Sequence, residues 1–473
     1  MRKTKIICTL GPATDQEGIL ESLIQEGMNV ARFNFSHGSH EEQKGRLDKL
    51  KELRKKYNKP IAALLDTKGP EIRLQCFKDK KVQLQEGQKF TLLADDVEGT
   101  QECVSITYKK LYQDVKPGDS ILIDDGLVEM EVDAIEGTAI VCNVKNGGTV
   151  SDRKGVNVPG AELKMDFISQ KDYDDLIFGI QEDFDFVAAS FTRTAEDIMA
   201  IRKVLDDNGG KDINIIAKIE NQQGVDNIDA IIAAADGIMI ARGDMGVEIP
   251  LEQVPIIQKK IIKKVYRAGK VVITATQMLD SMMSHPRPTR AETTDVANAI
   301  MQGTSAIMLS GETAAGKYPI KALQMMVRIA EHIEENIDYN DIFRGEKREE
   351  EPDITNAISH ATCMTAIDLK ANAILAVTKT GSTARMISKF RPGCIIGGCS
   401  SSSKVCRQMN LSWGVYPMQI KEEYSSEILC LRATDAAQSH GLVKDGDRIV
   451  FTGGIPLGIP GRTNLIRVCI VGE

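Results

Sequence analysis

The chain has 473 residues, 42% hydrophobic and 27% charged, enough for about three domains of ~100–200 residues that each bury a core. Its 59 Lys and Arg against 67 Asp and Glu leave a net charge of −8, which argues against nucleic acid or a membrane surface as the main partner and leaves room for a local anion pocket. Ten cysteines with no C-x-x-C pair argue for a reducing compartment, and the lack of a signal-length apolar run or a stretch of ~18 apolar residues points to the cytoplasm.

In chain order, the first elements are the β-branched runs TKIICTL, NVARFNF and PIAALLD, each leading into a polar or glycine-rich loop. After a long interval come DFVAASF, INIIAKI, GIMIAR, KVVITAT and SAIMLS, with amphipathic helices such as DIMAIRKVLDDNG and LEQVPIIQKKIIKKVYRAG between them. Strands that are apolar at nearly every position are buried on both faces. Eight such β/α units predict an α/β fold, a (β/α)8 TIM barrel over residues 1–73 and 164–345. The interval itself, residues 74–163, carries short strands broken by glycine (VQLQEGQKFTLL, SILIDDGLVEMEV, TAIVCNVKNGG). It reads as a small all-β barrel growing from a βα loop, over the C-terminal face of the larger barrel, where it can close as a lid. The charged stretch RGEKREEEPD marks a boundary. Residues 353–473 then read as a separate α/β domain, opening on the helix ISHATCMTAIDLKA and ending on the strands RIVFTG and LIRVCIVG.

Catalytic groups of TIM barrels stand at the C-terminal ends of the strands. Strand two ends in Arg32, Asn34, Ser36 and His37, and strand three in Asp66 and Thr67, followed by Lys68 and Arg73. Strand five ends in Lys218 and Glu220, strand six in Arg242 and Asp244, strand seven in Thr276 and Gln277, strand eight in Ser310 and Glu312. Lys218 and Glu220 alternate, so both side chains point the same way. With Asp244 from the next strand they offer two carboxylates to a Mg2+ ion, or else an ion pair that neutralises the rim. The glycines of ARGDMGVEIP let backbone N–H groups approach an anion, although the same loop serves as an ordinary βα turn. Asn34, Ser36, Asp66 and Thr67 bring an amide, two hydroxyls and one carboxylate, a set that suits a weakly charged hard cation or simple loop hydrogen bonds. GETAAGKY, residues 311–318, falls one hydroxyl short of a Walker A loop because Tyr318 replaces it. Of six histidines only His37 lies at a strand end, and none forms an H-E-x-x-H pair.

The motifs NVARFNFSHG, LLDTKGPEIR, KGVNVPG, IAKIEN, ARGDMGVEIP, ITATQML, SHPRPTRAETTDVANA and IMLSGETAAGKYP, in that order, resemble the pyruvate kinase family over almost the whole chain. The resemblance implies phosphoryl transfer from phosphoenolpyruvate to ADP, giving pyruvate and ATP. By matching positions, Glu220 and Asp244 would ligate Mg2+ (or Mn2+). Lys218 would stabilise the transferring phosphoryl group and Arg32 would bind it. Gly243, Asp244 and Thr276 would hold the substrate carboxylate, with Thr276 near the face where the enolate is protonated. His37, Arg73 and Lys154 would meet the nucleotide. Asn34, Ser36, Asp66 and Thr67 would bind K+, and Glu71 in D-T-K-G-P-E is similar to the K+-dependent members.

In the last domain, Thr378, Thr380, Gly381, Ser382 and Thr383 make a hydroxyl- and glycine-rich turn that could cradle phosphate or serve as a plain loop. The resemblance implies an effector site there for a sugar phosphate or AMP and a homotetramer; the stop soon after LIRVCIVGE carries the expectation of no additional C-terminal domain of the kind seen in some bacterial relatives. Two other readings compete: a Mg2+-dependent carbon–carbon lyase on a similar barrel, and an idle scaffold.

Overall fold

The computed structural model describes residues 1–345, 353–457 and 461–473; most of the charged stretch read as a boundary therefore lies outside the described residues. Eight parallel strands close into a barrel: Lys5–Thr9, Val30–Asn34, Ala62–Asp66, Phe186–Ala189, Asn214–Ile219, Gly237–Ala241, Val271–Ala275 and Ala306–Leu309. These are the eight predicted runs in the predicted order. Their side chains split into two cores. Ile7, Val30, Leu64, Ala188, Ile216, Met239, Ile273 and Met308 fill the barrel, while Ile6, Ala31, Leu65, Val187, Ala217 and Ile240 pack outward against the helices. Helices begin where side chains can satisfy the orphan N–H groups, with capping boxes at Ser39/Glu42, Ser169/Asp172 and Thr289/Glu292. No helix among the described residues is long and apolar enough to cross a membrane.

Between barrel strands three and four sits a seven-stranded sheet running from Ile72–Arg73 to Cys103–Ser105 at its two edges. The edges meet at one isolated bridge, Leu74 to Ile106, so the sheet curls on itself without a continuous ladder. Arg73, on the barrel side of the predicted boundary, is a strand residue of this sheet and pairs with Gly155. Its core is separate from the barrel's and is built from Phe90, Leu92, Val104, Ile121, Met130 and Ile140 among others.

The C-terminal unit is a five-stranded sheet in the order Val415–Gln419, Ile395–Ser400, Ala373–Val377, Arg448–Gly453, Leu465–Ile470, the last strand antiparallel to its neighbour. It docks under the barrel. Leu411 is fully buried in the same cluster as Ile7, Val30, Ala62 and Ala306, so it plugs the barrel's N-terminal end. Beside the plug, Arg407 on the helix Ser403–Met409 donates from Nε to Asp185 at 2.7 Å, at the base of barrel strand four. Asp185 is fully buried; its other carboxylate oxygen accepts from the Ala63 N–H at 2.8 Å and lies 3.4 Å from Arg54. Removing one partner of a buried pair strands the other charge, at about 3–5 kcal/mol. Arg407→Ala is expected to lower the midpoint of thermal unfolding by roughly 5 °C, read by calorimetry. An unchanged midpoint would mean that Asp185 does not need this partner.

Candidate active site

The mouth of the barrel is organised around Asp66, the last residue of strand three and 1% exposed. Its Oδ2 accepts from Arg32 Nε at 2.6 Å and its Oδ1 from Lys218 Nζ at 3.0 Å. Burial alone would raise the carboxyl pKa, but Arg32 and Lys218 outweigh it and hold Asp66 below the ordinary value. Lys218 is 8% exposed. Burial works against its charge, yet Asp66 and then Glu220 push its pKa above the usual lysine value. The ammonium is therefore charged at any working pH. It also donates to Ser190 Oγ at 2.6 Å and lies 3.1 Å from Glu220 Oε1.

Glu220 follows strand five directly and is 1% exposed. Its Oε2 accepts from the Phe191 backbone N–H at 2.6 Å. Its Oε1 is buried without a hydrogen-bond partner, close enough to Lys218 for ion pairing only. Burial pushes the carboxyl up to about 7, with Lys218 opposing and Asp244 adding to the rise. Asp244 stands in the first turn of the short helix Arg242–Glu248 that follows strand six. An orphaned buried carboxylate oxygen beside a second carboxylate fits a hard divalent cation, which commonly takes one or two carboxylates and keeps its other positions for substrate and water.

Strained backbone frames this centre. Thr276 and Gln277, at the end of strand seven, have φ of 67° and 54°, and Phe191 has φ of 54°. Non-glycine residues in this region cost about 1–3 kcal/mol each and persist only when the surroundings over-determine them. Here Arg242 does so, donating to the Thr276 carbonyl at 2.8 Å and the Ala275 carbonyl at 3.3 Å while anchored on Asp295 at 2.7 Å. Glu312 adds a hold on the Leu279 N–H at 3.0 Å. The Thr276 hydroxyl donates to the Ala275 carbonyl at 2.7 Å and accepts from the Gly243 N–H at 2.7 Å.

The inserted domain faces this centre across a cleft of about 580 Å³ lined by Arg73, Lys154 and Asp125 on one side and Phe191, Asp244 and Glu248 on the other. Arg73 is aimed by Glu71, which takes Nε and Nη2 at 2.7 and 2.8 Å, and by the Arg153 carbonyl at 2.9 Å. Lys154 pairs with Asp124 at 2.9 Å, and Asn157 reaches across to Glu248 at 2.9 Å.

The predicted residues divide accordingly. Arg32, Asp66, Lys218 and Glu220 meet directly, Gly243 and Thr276 bond each other, and Arg73, Lys154 and Asp244 share the cleft. Asn34 Oδ1 accepts from the Ser36 N–H at 3.1 Å, and the Thr67 hydroxyl donates to the Ala188 carbonyl at 3.2 Å. His37 is exposed and is not among the residues lining the cleft. Gly311–Ala314 forms a short helix packed on strand one through the Thr313 hydroxyl and Thr9 carbonyl at 2.9 Å, which is no phosphate loop. In the C-terminal domain, Thr378, Thr380, Ser382 and Thr383 line a pocket with Lys379 and Arg462, while Gly381 turns the chain at φ 81°. Sequence reasoning passed over Ser190 and Phe191 at the end of strand four. The signal was the Ser of DFVAASF, a lone hydroxyl at a strand end. It also missed the Asn157–Glu248 contact, which no spacing rule marks.

Residues 1–323 match the family model described as pyruvate kinase, barrel domain, and residues 356–469 the one described as pyruvate kinase, alpha/beta domain. The chain is 52% identical over 472 residues to a pyruvate kinase of Clostridium acetobutylicum, with 100% of both chains covered. It is 48% identical over 474 residues to a pyruvate kinase of Geobacillus stearothermophilus, covering 100% of this chain and 81% of that one. A crystal structure of a pyruvate kinase from Cryptosporidium parvum is similar with a TM-score of 0.94 at 38% identity, over 99% of this chain and 96% of that one.

Glu220, with its carboxyl pushed up to about 7, would give a divalent cation that it ligates a pH-dependent affinity. A protonated carboxyl does not ligate, so binding below that pH must expel a proton. Affinity for Mn2+ is therefore expected to weaken as pH falls from 8 to 6, approaching tenfold per unit at the acid end. Titration followed by electron paramagnetic resonance of free Mn2+ reads it. A dissociation constant flat across this range would mean that Glu220 releases no proton when the cation binds.

Proposed function

The chain belongs to the pyruvate kinase family and is a phosphotransferase with an alcohol group as acceptor; from that premise we propose that it transfers phosphoryl from phosphoenolpyruvate to ADP, with Mg2+ (or Mn2+) and K+ bound at the barrel mouth. The observation that carries this reading is the buried Asp66 carboxylate with Arg32 at 2.6 Å and Lys218 at 3.0 Å, beside the orphaned Glu220 oxygen.

Phosphoryl transfer asks little covalent chemistry of a protein and much positioning of positive charge around spreading negative charge. Lys218 and Arg32 stand ready as that charge, held until an anion arrives by the carboxylate they share. Mg2+, held by Glu220 and Asp244, would supply the remaining positive charge and polarise the substrate oxygens. Arg32 and Lys218 can turn from Asp66 toward the phosphoryl oxygens. The carboxylate they leave is then short of cations, and its oxygen, with those of Asn34, Ser36 and Thr67, is where K+ would be held. Gly243, Asp244 and Thr276 orient the carboxylate end of the substrate. The Thr276 proton rests on the Ala275 carbonyl, so any role near the protonated face requires that hydroxyl to rotate. Arg73 and Lys154, pre-aimed by Glu71 and Asp124, meet the diphosphate of ADP as the inserted domain closes, with His37 at the outer edge.

We assign the catalytic role to residues 1–73 and 164–345, the lid to 74–163 and regulation to 353–473. The effector is a sugar phosphate or AMP at Thr378, Thr380, Gly381, Ser382 and Thr383, where Lys379 and Arg462 add positive charge to the pocket. Family membership supports a homotetramer acting in the cytoplasm.

Lys218→Met removes one electrostatic group and is expected to lower kcat by ~10²–10³-fold with a modest change in the KM for phosphoenolpyruvate. Near-normal turnover of that variant in a coupled assay of ADP-dependent pyruvate formation would rule the role out. The same assay with K+ replaced by Na+ is expected to lose most activity, because Glu71 is a carboxylate and cannot stand in for a cation. Equal rates in the two salts would dismiss the K+ site.

A further inference from the structure

Ser190 has no part in the mechanism above, yet few polar side chains at the barrel mouth are as fully committed. It is the first residue after strand four and is 2% exposed. Its Oγ accepts from Lys218 Nζ at 2.6 Å. Its own proton goes to the Thr67 carbonyl at 2.7 Å, with Asp66 Oδ1 a longer alternative at 3.1 Å. Its backbone N–H donates to the Thr67 hydroxyl at 3.2 Å. One serine thus ties together the ends of strands three, four and five. The loop after strand three is moulded onto it: Gly69 has φ of 74°, and a Cβ there would come within 2.8 Å of the Ser190 Cβ and 2.9 Å of its carbonyl oxygen.

From this geometry we infer that Ser190 is a positioning residue for phosphoryl transfer, its hydroxyl fixing the Lys218 ammonium without neutralising it. The inference rests on the phosphoryl-transfer reading above. A lysine ammonium sits on a flexible four-carbon stem and must be located by its partners. The other two partners of Lys218 are Asp66 and Glu220, both carboxylates that draw the charge toward themselves. Ser190 is the neutral one and gives the shortest contact. Because its proton is directed to Thr67, an oxygen lone pair is left facing Lys218. The hydroxyl can therefore stay bonded to Lys218 while Asp66 and Glu220 are given over to cations. With Ser190 shortened to alanine, the ammonium is held by carboxylates alone and shifts toward them, and a displacement of ~1 Å at a reacting centre costs on the order of 10²-fold in rate.

A double-mutant cycle on kcat tests this, with wild type, S190A, K218M and S190A/K218M compared in the coupled pyruvate assay. Expected is a 10- to 100-fold loss of kcat for S190A, with the KM for phosphoenolpyruvate within about threefold and the thermal midpoint within about 2 °C of wild type. In the K218M background the same change should cost less than about threefold, because nothing remains to be positioned. S190C fills the same space but is a weak hydrogen-bond acceptor, so it should be slow like S190A. Equal losses in both backgrounds would show that Ser190 acts apart from Lys218 and would overturn the inference. So would S190A or S190C turning over at the wild-type rate. Wild type without ADP-dependent pyruvate formation is a different result: it removes the phosphoryl-transfer reading, and this inference with it.

Discussion

A single buried anion dictates the rest of the barrel mouth. Asp66 is taken out of water at the end of strand three, where an uncompensated carboxylate would cost several kcal/mol. It is tolerable only because Arg32 from strand two and Lys218 from strand five reach it. The pair is not enough for the whole site. Around these two cations stand Asp66, Asp244 and Glu220, so this centre is net negative once Glu220 gives up its proton. A dianionic phosphoryl group would be repelled by it. The same arrangement would become attractive if a divalent cation joined Glu220 and Asp244, and cation and substrate would then be partners in one charge balance. The raised pKa of Glu220 comes first from burial, with Lys218 opposing and Asp244 adding to it, so a proton is favoured where a cation would otherwise sit.

Charge alone does not hold geometry, and the backbone around Asp66 carries the remaining precision. Strands four and seven both leave the barrel through residues in the left-handed region, Phe191 and the Thr276–Gln277 pair. Each strained turn is pinned by an ionisable side chain from a neighbouring element: Glu220 takes the Phe191 N–H, and Arg242 clamps the carbonyls of Ala275 and Thr276. Glu220 therefore divides its carboxylate, one oxygen holding the backbone and the other left without a hydrogen-bond partner, where a cation would fit. A change at this residue alters the turn as well as the charge, which is why loss of function at Glu220 by itself cannot be read as loss of a metal ligand. The Lys218 side chain makes its bonds at the ammonium and none to backbone, so its substitution spares these turns while taking one cation from Asp66.

The barrel is legible in the chain because doubly buried parallel strands announce themselves as apolar runs, and because functional side chains collect at their C-terminal ends. Arg32, Asp66, Lys218 and Glu220 are found by that rule alone. What stays hidden depends on partners far apart in sequence. Ser190 is one serine among many until Lys218 and Thr67 are folded against it. Leu411 looks like an ordinary residue after a helix, yet it seals the barrel floor. Glu71 carries in the sequence only an expectation about cation choice; its immediate work appears with the fold, where it aims Arg73 from the inserted sheet and has Lys68 3.0 Å from the oxygen that takes Arg73 Nε. The curl of the inserted sheet, closed at one bridge, likewise follows from twist and edge contacts and leaves no mark in the periodicity.

The placement of the C-terminal domain limits how its pocket can speak to the barrel. The pocket at Thr378–Thr383 shares no lining residue with the cleft at Arg73 and Asp244. The helix Ser382–Lys389 starts at the pocket and leads to Arg391, whose guanidinium stacks over the Trp413 ring at 4.6 Å and donates to the Gly303 carbonyl at 2.8 Å. Gly303 lies just ahead of strand eight, at the floor of the barrel. Arg407 and Leu411 meet the floor as well, Arg407 at the base of strand four and Leu411 within the cluster that fills the barrel. Within one chain, the described contacts through which the two sites could exchange free energy lie at the strand bases. Close-packed strands transmit such a push as a shift of whole elements rather than a graded deformation. At the far strand ends, the left-handed residues Phe191 and Thr276 hold hydrogen bonds with Glu220 and Gly243, which a shift of whole elements would re-aim.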